Sequence, residues 1–286
     1  MEIEQFGEAL LKTQDLDPIY NALHKLELPI LQLRMWLTAY WSFYNAGVAC
    51  HVSESADMRQ FWNRMSIVAH NTEPTPFGTR WPRGQERRHC RGAAAVKMTE
   101  ALEDRYREDI QEFVRYVSCM DLPAPTCADV MKRVKEHYLF GDWIAFKVAD
   151  MSERVLHRQV SFQQSHVFMF DQPRKAALQL WSDRAQGKNW QPGILLTPKD
   201  PELAIRAVVE HLIEHFKAAG CMAPPNQDRP LGLQEVETVL CKWKSHMNGH
   251  YPILNDVHEI REGLIPWRDF SPTAQLFIDA MPKDQQ

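Results

Sequence analysis

Residues 141–155 read GDWIAFKVADMSERV, and their periodicity decides the fold class. At ~100° per residue, Ile144, Val148, Met151 and Val155 fall within about 60° of one another and form an apolar face. Trp143, Lys147, Asp150 and Arg154 gather on a second face, with Lys147 to Asp150 at i,i+3 and Asp150 to Arg154 at i,i+4. This is an amphipathic helix, and the same period recurs outward in both directions with no alternating strand and no fixed repeat. The expected fold is mainly α.

Upstream, 29–70 reads as a helical block, with Leu33, Leu37, Tyr40, Trp41 and Tyr44 in one stripe and Phe61, Met65 and Val68 in another. The uncharged run Met35 to Cys50 is 16 residues long and contains Thr38, Ser42 and Asn45. That is short of the ~18 to 20 apolar residues of a membrane span, so a buried helix is expected. A loop punctuated by Pro74, Pro76, Gly78, Pro82 and Gly84 gives way to helix over 93–118. Thr126 is placed to cap a short helix to Tyr138. Downstream, 171–185 and 201–220 read as helices separated by a Pro/Gly loop, and 233–247 as another. Cys221 to Gly232, with three prolines, is the expected linker. It suggests a helical domain over 1–220 and a helical extension over 221–286, with little regular pattern at the carboxy end.

The chain has 286 residues, 24% charged and 44% hydrophobic, which excludes disorder and low-complexity polymers. A net charge of −4 gives no whole-chain attraction to nucleic acid, so any such role requires a local basic patch. Met1 to Leu10 carries three glutamates and no basic residue, unlike an export signal, and a cytoplasmic location is expected. Cysteines 50, 90, 119, 127, 221 and 241 form no C-x-x-C pair and suggest reduced thiols.

The basic patch exists. Arg80 to Arg91 reads RWPRGQERRHCR, five arginines with one histidine and one acid. Guanidinium groups bind phosphate oxygens bidentately and stay charged, and the following helix start adds free N–H groups. The alternative is a solvated basic loop. The face holding Lys147, Asp150 and Arg154 is likewise either an exposed ion-pair ladder or a site wall, with Asp150 as base and Lys147 as anion contact. His211-Leu-Ile-Glu-His215 has the H-x-x-E-H spacing of a zinc site, but it lies on an amphipathic helix, and no metal is assigned to it. P-loop, dinucleotide and hydrolase-elbow motifs are absent from the sequence. Trp41, Trp62, Trp81 and Trp143 could form a wall on which a base stacks.

In this order, WLTAYWSFYNAGVACHVSE, PRGQERRHCRG and FGDWIAFKVADMSERVL resemble the phage α-glutamyl/putrescinyl-thymine pyrophosphorylases, or amino acid:DNA transferases, over roughly 30–280. The resemblance implies an architecture like that of the helical DNA glycosylases. It also implies transfer of an amino acid or polyamine onto pyrophosphorylated 5-hydroxymethyluracil in DNA, with release of pyrophosphate. The partners would be modified DNA and a free amine. The resemblance names no certain cofactor, and a pyrophosphate leaving group makes Mg2+ the candidate metal. Arg83, Arg87, Arg88, Arg91 and Arg154 would hold phosphates, and Trp41, Trp81 and Trp143 would stack on the extruded base. Asp150, Asp171 and His89 are the candidate bases, with Lys147 beside them. Glycosylases of this fold carry a Gly-x-Gly hairpin before the catalytic Asp. Here it is reduced to Phe140-Gly141-Asp142, which puts ordinary hairpin contact with DNA in doubt. A glycosylase-like hydrolase and a non-catalytic DNA-binding protein remain as alternatives.

Overall fold

The computed structural model describes residues 1–73, 75, 78, 80–162, 170–186 and 197–282. Pro74, Pro76 and most of the loop expected between 187 and 200 lie outside the described residues. The fold is mainly α. In chain order its helices are α1 Ile3–Lys12, α2 Pro18–Leu26, α3 Ile30–Phe43, α4 Ala46–Ser53, α5 Met58–His70, α6 Ala93–Tyr106 and α7 Ile110–Val117. There follow α8 Cys127–Val134, α9 Asp142–Arg154, α10 Asp171–Ala185, α11 Pro201–Ala218, α12 Leu233–Met247, α13 Asn255–Leu264 and α14 Pro272–Ala280.

The chain forms two compact units, Met1–Pro18 with Phe162–His258, and Ile19–Ser161 with Glu259–Gln286. Cys221 to Gly232 therefore lies inside the first unit, whereas a linker was expected there. In that unit, Ile3, Phe6 and Leu10 of α1 join Leu212 and Phe216 of α11 and Val236, Val239 and Trp243 of α12 in one core. The amino terminus is thus more than an acidic tail. Its i,i+3,i+7 apolar spacing makes a helix whose face is buried. Asp15, fully buried, accepts from the Tyr251 hydroxyl at 3.2 Å and the Leu254 and Val257 N–H groups at 2.8 and 3.0 Å. That carboxylate ties the start of α13 to the end of α1.

The second unit holds the elements that the sequence reading singled out. The expected block 29–70 is three helices, because Tyr44 adopts φ 50° and ends α3, while Asn45 caps α4 by accepting from Val48 N–H at 3.0 Å. Asp57 caps α5 and accepts from Gln60 N–H at 2.7 Å. The expected helix 93–118 is broken the same way, with Asp109 capping α7. Thr126 caps α8 as expected, in a reciprocal box with Asp129. The carboxy end, expected to be irregular, forms α13 and α14, the latter started by Ser271 and Pro272.

Helix α3 is buried from Met35 to Phe43 and packs along α4 and α7. Trp36 stacks on Tyr40 and Phe277 at 4.7 and 5.3 Å. Gly47 of α4 lies against the buried Trp267 ring so closely that an added Cβ would stand 2.1 Å from Nε1. Gly47→Ala is expected to lower stability by about 1–3 kcal/mol, since neither the indole nor the helix has room to move. Gly263→Ala in α13, where a Cβ meets nothing within 4 Å, should leave the melting temperature equal or higher. Thermal melts of the two variants side by side check this pair.

Candidate functional site

The loop 80–92 is held in place by its own arginines. Gly84 N–H donates to the Phe43 carbonyl at 3.1 Å, and an added Cβ there would stand 2.1 Å from the Tyr44 carbonyl oxygen. Only glycine permits that approach. A 3-10 turn, Gln85–Arg87, follows. Arg87 is 2% exposed and donates from Nε to the Ser42 carbonyl at 2.9 Å, from Nη1 to the Leu139 carbonyl at 2.5 Å and from Nη2 to Met98 Sδ at 3.1 Å. Arg83 donates to the Cys90, Val68 and Pro82 carbonyls at 2.9, 2.9 and 3.0 Å and lies over the Phe43 ring. Burial lowers the pKa of both guanidinium groups, that of Arg83 to about 10.

The arginine cluster therefore divides. Arg83 and Arg87, expected at phosphates, spend their donors on backbone carbonyls. Arg80, Arg88 and Arg91 are exposed, and Arg91 makes one 3.3 Å bond to the Trp81 carbonyl. These three are the ones positioned to meet an anion.

Beside the loop opens a cleft of about 720 Å3. Glu86 and His89 line it from the loop, Lys135 and His137 from the turn after α8, and Asp142 and Trp143 from the start of α9. Gly141 caps α9 without a side chain, so the first-turn N–H groups and the positive end of the helix dipole face this region. Lys135 pairs with Asp142 at 2.6 Å. Trp143 is half-buried and meets Tyr44 edge-on, with centroids 4.6 Å apart. Tyr44 in turn packs on Tyr40 at 4.6 Å. Burial drives the Tyr40 phenol well above its usual pKa. The Tyr44 hydroxyl and the Glu86 carboxylate push in the same direction, and Lys147 opposes them. Lys147 is half-buried, with its ammonium over the Phe146 ring.

One turn further along α9 the polar face goes inside. Asp150 is 0% and Arg154 2% exposed, paired at 3.4 Å. Asp150 Oδ2 accepts from the Tyr20 hydroxyl at 2.8 Å, and the Arg154 guanidinium lies over the Tyr20 ring. Neither an exposed ladder nor an open wall describes this pair, because the apolar turn at 148–151 carries the helix into the core. Asp171 is an exposed residue at the start of α10, in the first unit, paired with Lys175 at 3.0 Å. Trp41 and Trp81 are buried: Trp41 Nε1 donates to Met151 Sδ and Trp81 Nε1 to the Glu73 carbonyl, so neither presents a face for a base. Trp62 is likewise buried, its indole bonded to the Arg107 carbonyl. Of the expected site residues, His89, Arg87 and Trp143 come together around the cleft. Glu86 and Lys135 were not singled out as site residues, since the loop and the turn before α9 are some 50 positions apart in sequence and no spacing relates them.

In the first unit, His211 Nε2 lies 3.1 Å from Glu4, and His215 Nε2 lies 2.9 Å from Glu8. Glu4 also pairs with Arg184. Each imidazole thus joins a different carboxylate of α1, which explains the H-x-x-E-H spacing as a seam between α1 and α11.

Residues 11–250 match the family model described as amino acid:DNA transferase. The chain is 48% identical over 294 positions to a glycinyltransferase of Pseudomonas phage PaMx11, with 100% of this chain and 98% of that one covered. It is 24% identical over 279 positions to a putrescinyltransferase of Delftia phage PhiW-14, covering 97% of this chain and 82% of the relative.

Two outcomes are expected from these placements. Asp150→Asn and Arg87→Ala should each cost on the order of 3 kcal/mol of stability, because one removes a carboxylate charge that faces buried Arg154 and the other leaves carbonyls unsatisfied. Arg88→Ala should leave the melting temperature unchanged while weakening DNA binding roughly tenfold or more, as loss of a ~1.5–3 kcal/mol charged hydrogen bond would. Melting curves and DNA titrations on the three variants separate support from contact. Separately, protein purified without added zinc should carry no stoichiometric transition metal, and His211→Ala should remain folded, by elemental analysis and circular dichroism.

Proposed function

Because the chain belongs to the amino acid:DNA transferase family, it is an enzyme that transfers an amino acid or amine onto DNA, and we propose that the cleft beside α9 is where it does so. The substrate we infer is a thymine position of DNA carrying a pyrophosphorylated 5-hydroxymethyl group, and the amine is glycine. The end-to-end 48% identity to a glycinyltransferase supports glycine over a polyamine.

The observation that carries the reading is the convergence on one cleft of an aromatic face, Trp143, a helix start with no side-chain cap, and Glu86, Arg87 and His89 of the 80–91 loop. Extrusion of the target base, as in enzymes that act on nucleobases, would bring its C5 methylene carbon into the cleft. A cleft of about 720 Å3 accommodates a nucleotide, and Trp143 offers a ring on which the pyrimidine stacks. The leaving diphosphate develops charge as the C–O bond breaks. The first-turn N–H groups of α9 would supply donors there, joined by the exposed Arg88, which lies between the cleft-lining Arg87 and His89 in sequence. The incoming amine forms the new C–N bond at the methylene carbon, and the C–O electron pair departs with pyrophosphate.

Among the described residues no helix is long and apolar enough to cross a membrane. The experiment is mass analysis of nucleosides from DNA containing pyrophosphorylated 5-hydroxymethyluracil after incubation with the protein and either glycine or putrescine. A glycine-substituted thymidine with release of one pyrophosphate is the expected outcome. Free modified base would instead indicate N-glycosidic cleavage, and unchanged nucleosides with both amines would overturn the proposed substrate.

A further inference from the structure

We propose that Glu86 is the carboxylate that binds the incoming amine and takes its proton. The inference rests on the reading of the cleft given above and names the group that makes its nucleophile reactive.

At neutral pH an aliphatic amine is an ammonium and has no lone pair for attack, so the site needs a base that also attracts a cation. Asp150 is enclosed, one oxygen accepting from Tyr20 and the other facing Arg154. Of the carboxylates lining the cleft, Glu136 accepts the Tyr116 hydroxyl at 2.6 Å and faces Arg105, and Asp142 is paired with Lys135. His137 is buried, its Nε2 bonded to the Tyr106 hydroxyl and its Nδ1 to the Arg133 and Val134 carbonyls, and burial lowers its pKa. Glu86 remains. It is exposed, lies on the 3-10 turn whose backbone is fixed by Gly84 and Arg87, and carries no ion pair among the described residues.

Its surroundings suit the role. Glu86 stands on the same cleft as Trp143 and close enough to Tyr40 to raise that phenol's pKa. The charged and titratable groups facing the cleft with it are Arg87, His89, Lys135, Glu136, His137, Tyr138, Asp142 and, through Tyr40, Lys147. With Arg87 turned to backbone carbonyls and Lys135 paired to Asp142, Glu86 keeps its charge available for a cation. The balance is simple. The ammonium gives one proton to the Glu86 carboxylate, and the neutral nitrogen attacks the methylene carbon. Pyrophosphate leaves with the C–O pair, the product is a secondary ammonium, and the Glu86 carboxyl returns its proton to water.

Single-turnover rates of wild type, Glu86→Gln and Glu86→Asp, on the full chain with the pyrophosphorylated DNA and saturating glycine, test this across pH. Glu86→Gln should lose about 100-fold or more at neutral pH. The deficit should shrink as pH rises and neutral glycine is supplied by solvent, while DNA affinity and melting temperature stay at wild-type values. Glu86→Asp should recover part of the rate. A wild-type rate in Glu86→Gln, or a deficit constant across pH, overturns the assignment while leaving the transferase reading intact. No glycine-substituted product from the wild type would overturn the substrate reading and this inference together.

Discussion

The cleft depends on one buried guanidinium. Arg87 sits where the carboxyl end of α3, the loop 80–92 and the turn before α9 meet, and it bonds a backbone carbonyl of two of them. Helix α3 ends abruptly at Tyr44, leaving carbonyls with no partner inside the helix. Arg87 satisfies Ser42 and Gly84 N–H satisfies Phe43, so the loop is the cap of α3. A positive charge at that end also meets the negative pole of the helix dipole. A buried cation is costly unless such groups surround it, and here carbonyl dipoles, a thioether and the face of Phe140 surround it. The same contacts that offset its burial fix Glu86 and His89 on either side of it in sequence.

Helix α9 joins the two demands of the site, an open end and a rigid base. Its first turn faces the cleft with Trp143. Two turns on, ~10 Å along the axis, Asp150 and Arg154 are locked with Tyr20 in the core. A helix can roll about its axis while keeping its apolar contacts, and a buried ion pair with a directional hydrogen bond prevents this. Asp150 therefore acts on Trp143 and Lys147 through the orientation of the helix.

How much of this was legible in the sequence follows from what each signal measures. Caps are local, so Thr126 with Asp129, Pro201 and the span of α9 could be read directly. Breaks that depend on a left-handed residue other than glycine could not, because Tyr44 at φ 50° carries no compositional mark. Arg87 and Arg88 are chemically identical neighbours, yet one is a buried tie and the other a surface cation. Their difference is set by Ser42 and Leu139, which periodicity does not relate to them. The stripe Trp143, Lys147, Asp150 and Arg154 was correct as geometry. Its division into an exposed and an enclosed half depends on what packs above it, which a helical wheel does not contain.

The division of the arginines also reconciles an acidic chain with a DNA substrate. With a net charge of −4, the protein has no long-range attraction to a polyanion, and in the proposed reading three exposed arginines in twelve residues provide a local one. Each phosphate contact releases condensed counterions, so a patch of about three contacts gives modest, salt-sensitive affinity rather than a broad electrostatic grip. Such weakness suits an enzyme that must leave one modified position for the next. In the proposed reading, discrimination falls to the cleft, where an extruded base would fit against Trp143 and its leaving group would reach the start of α9, a group that unmodified thymine lacks.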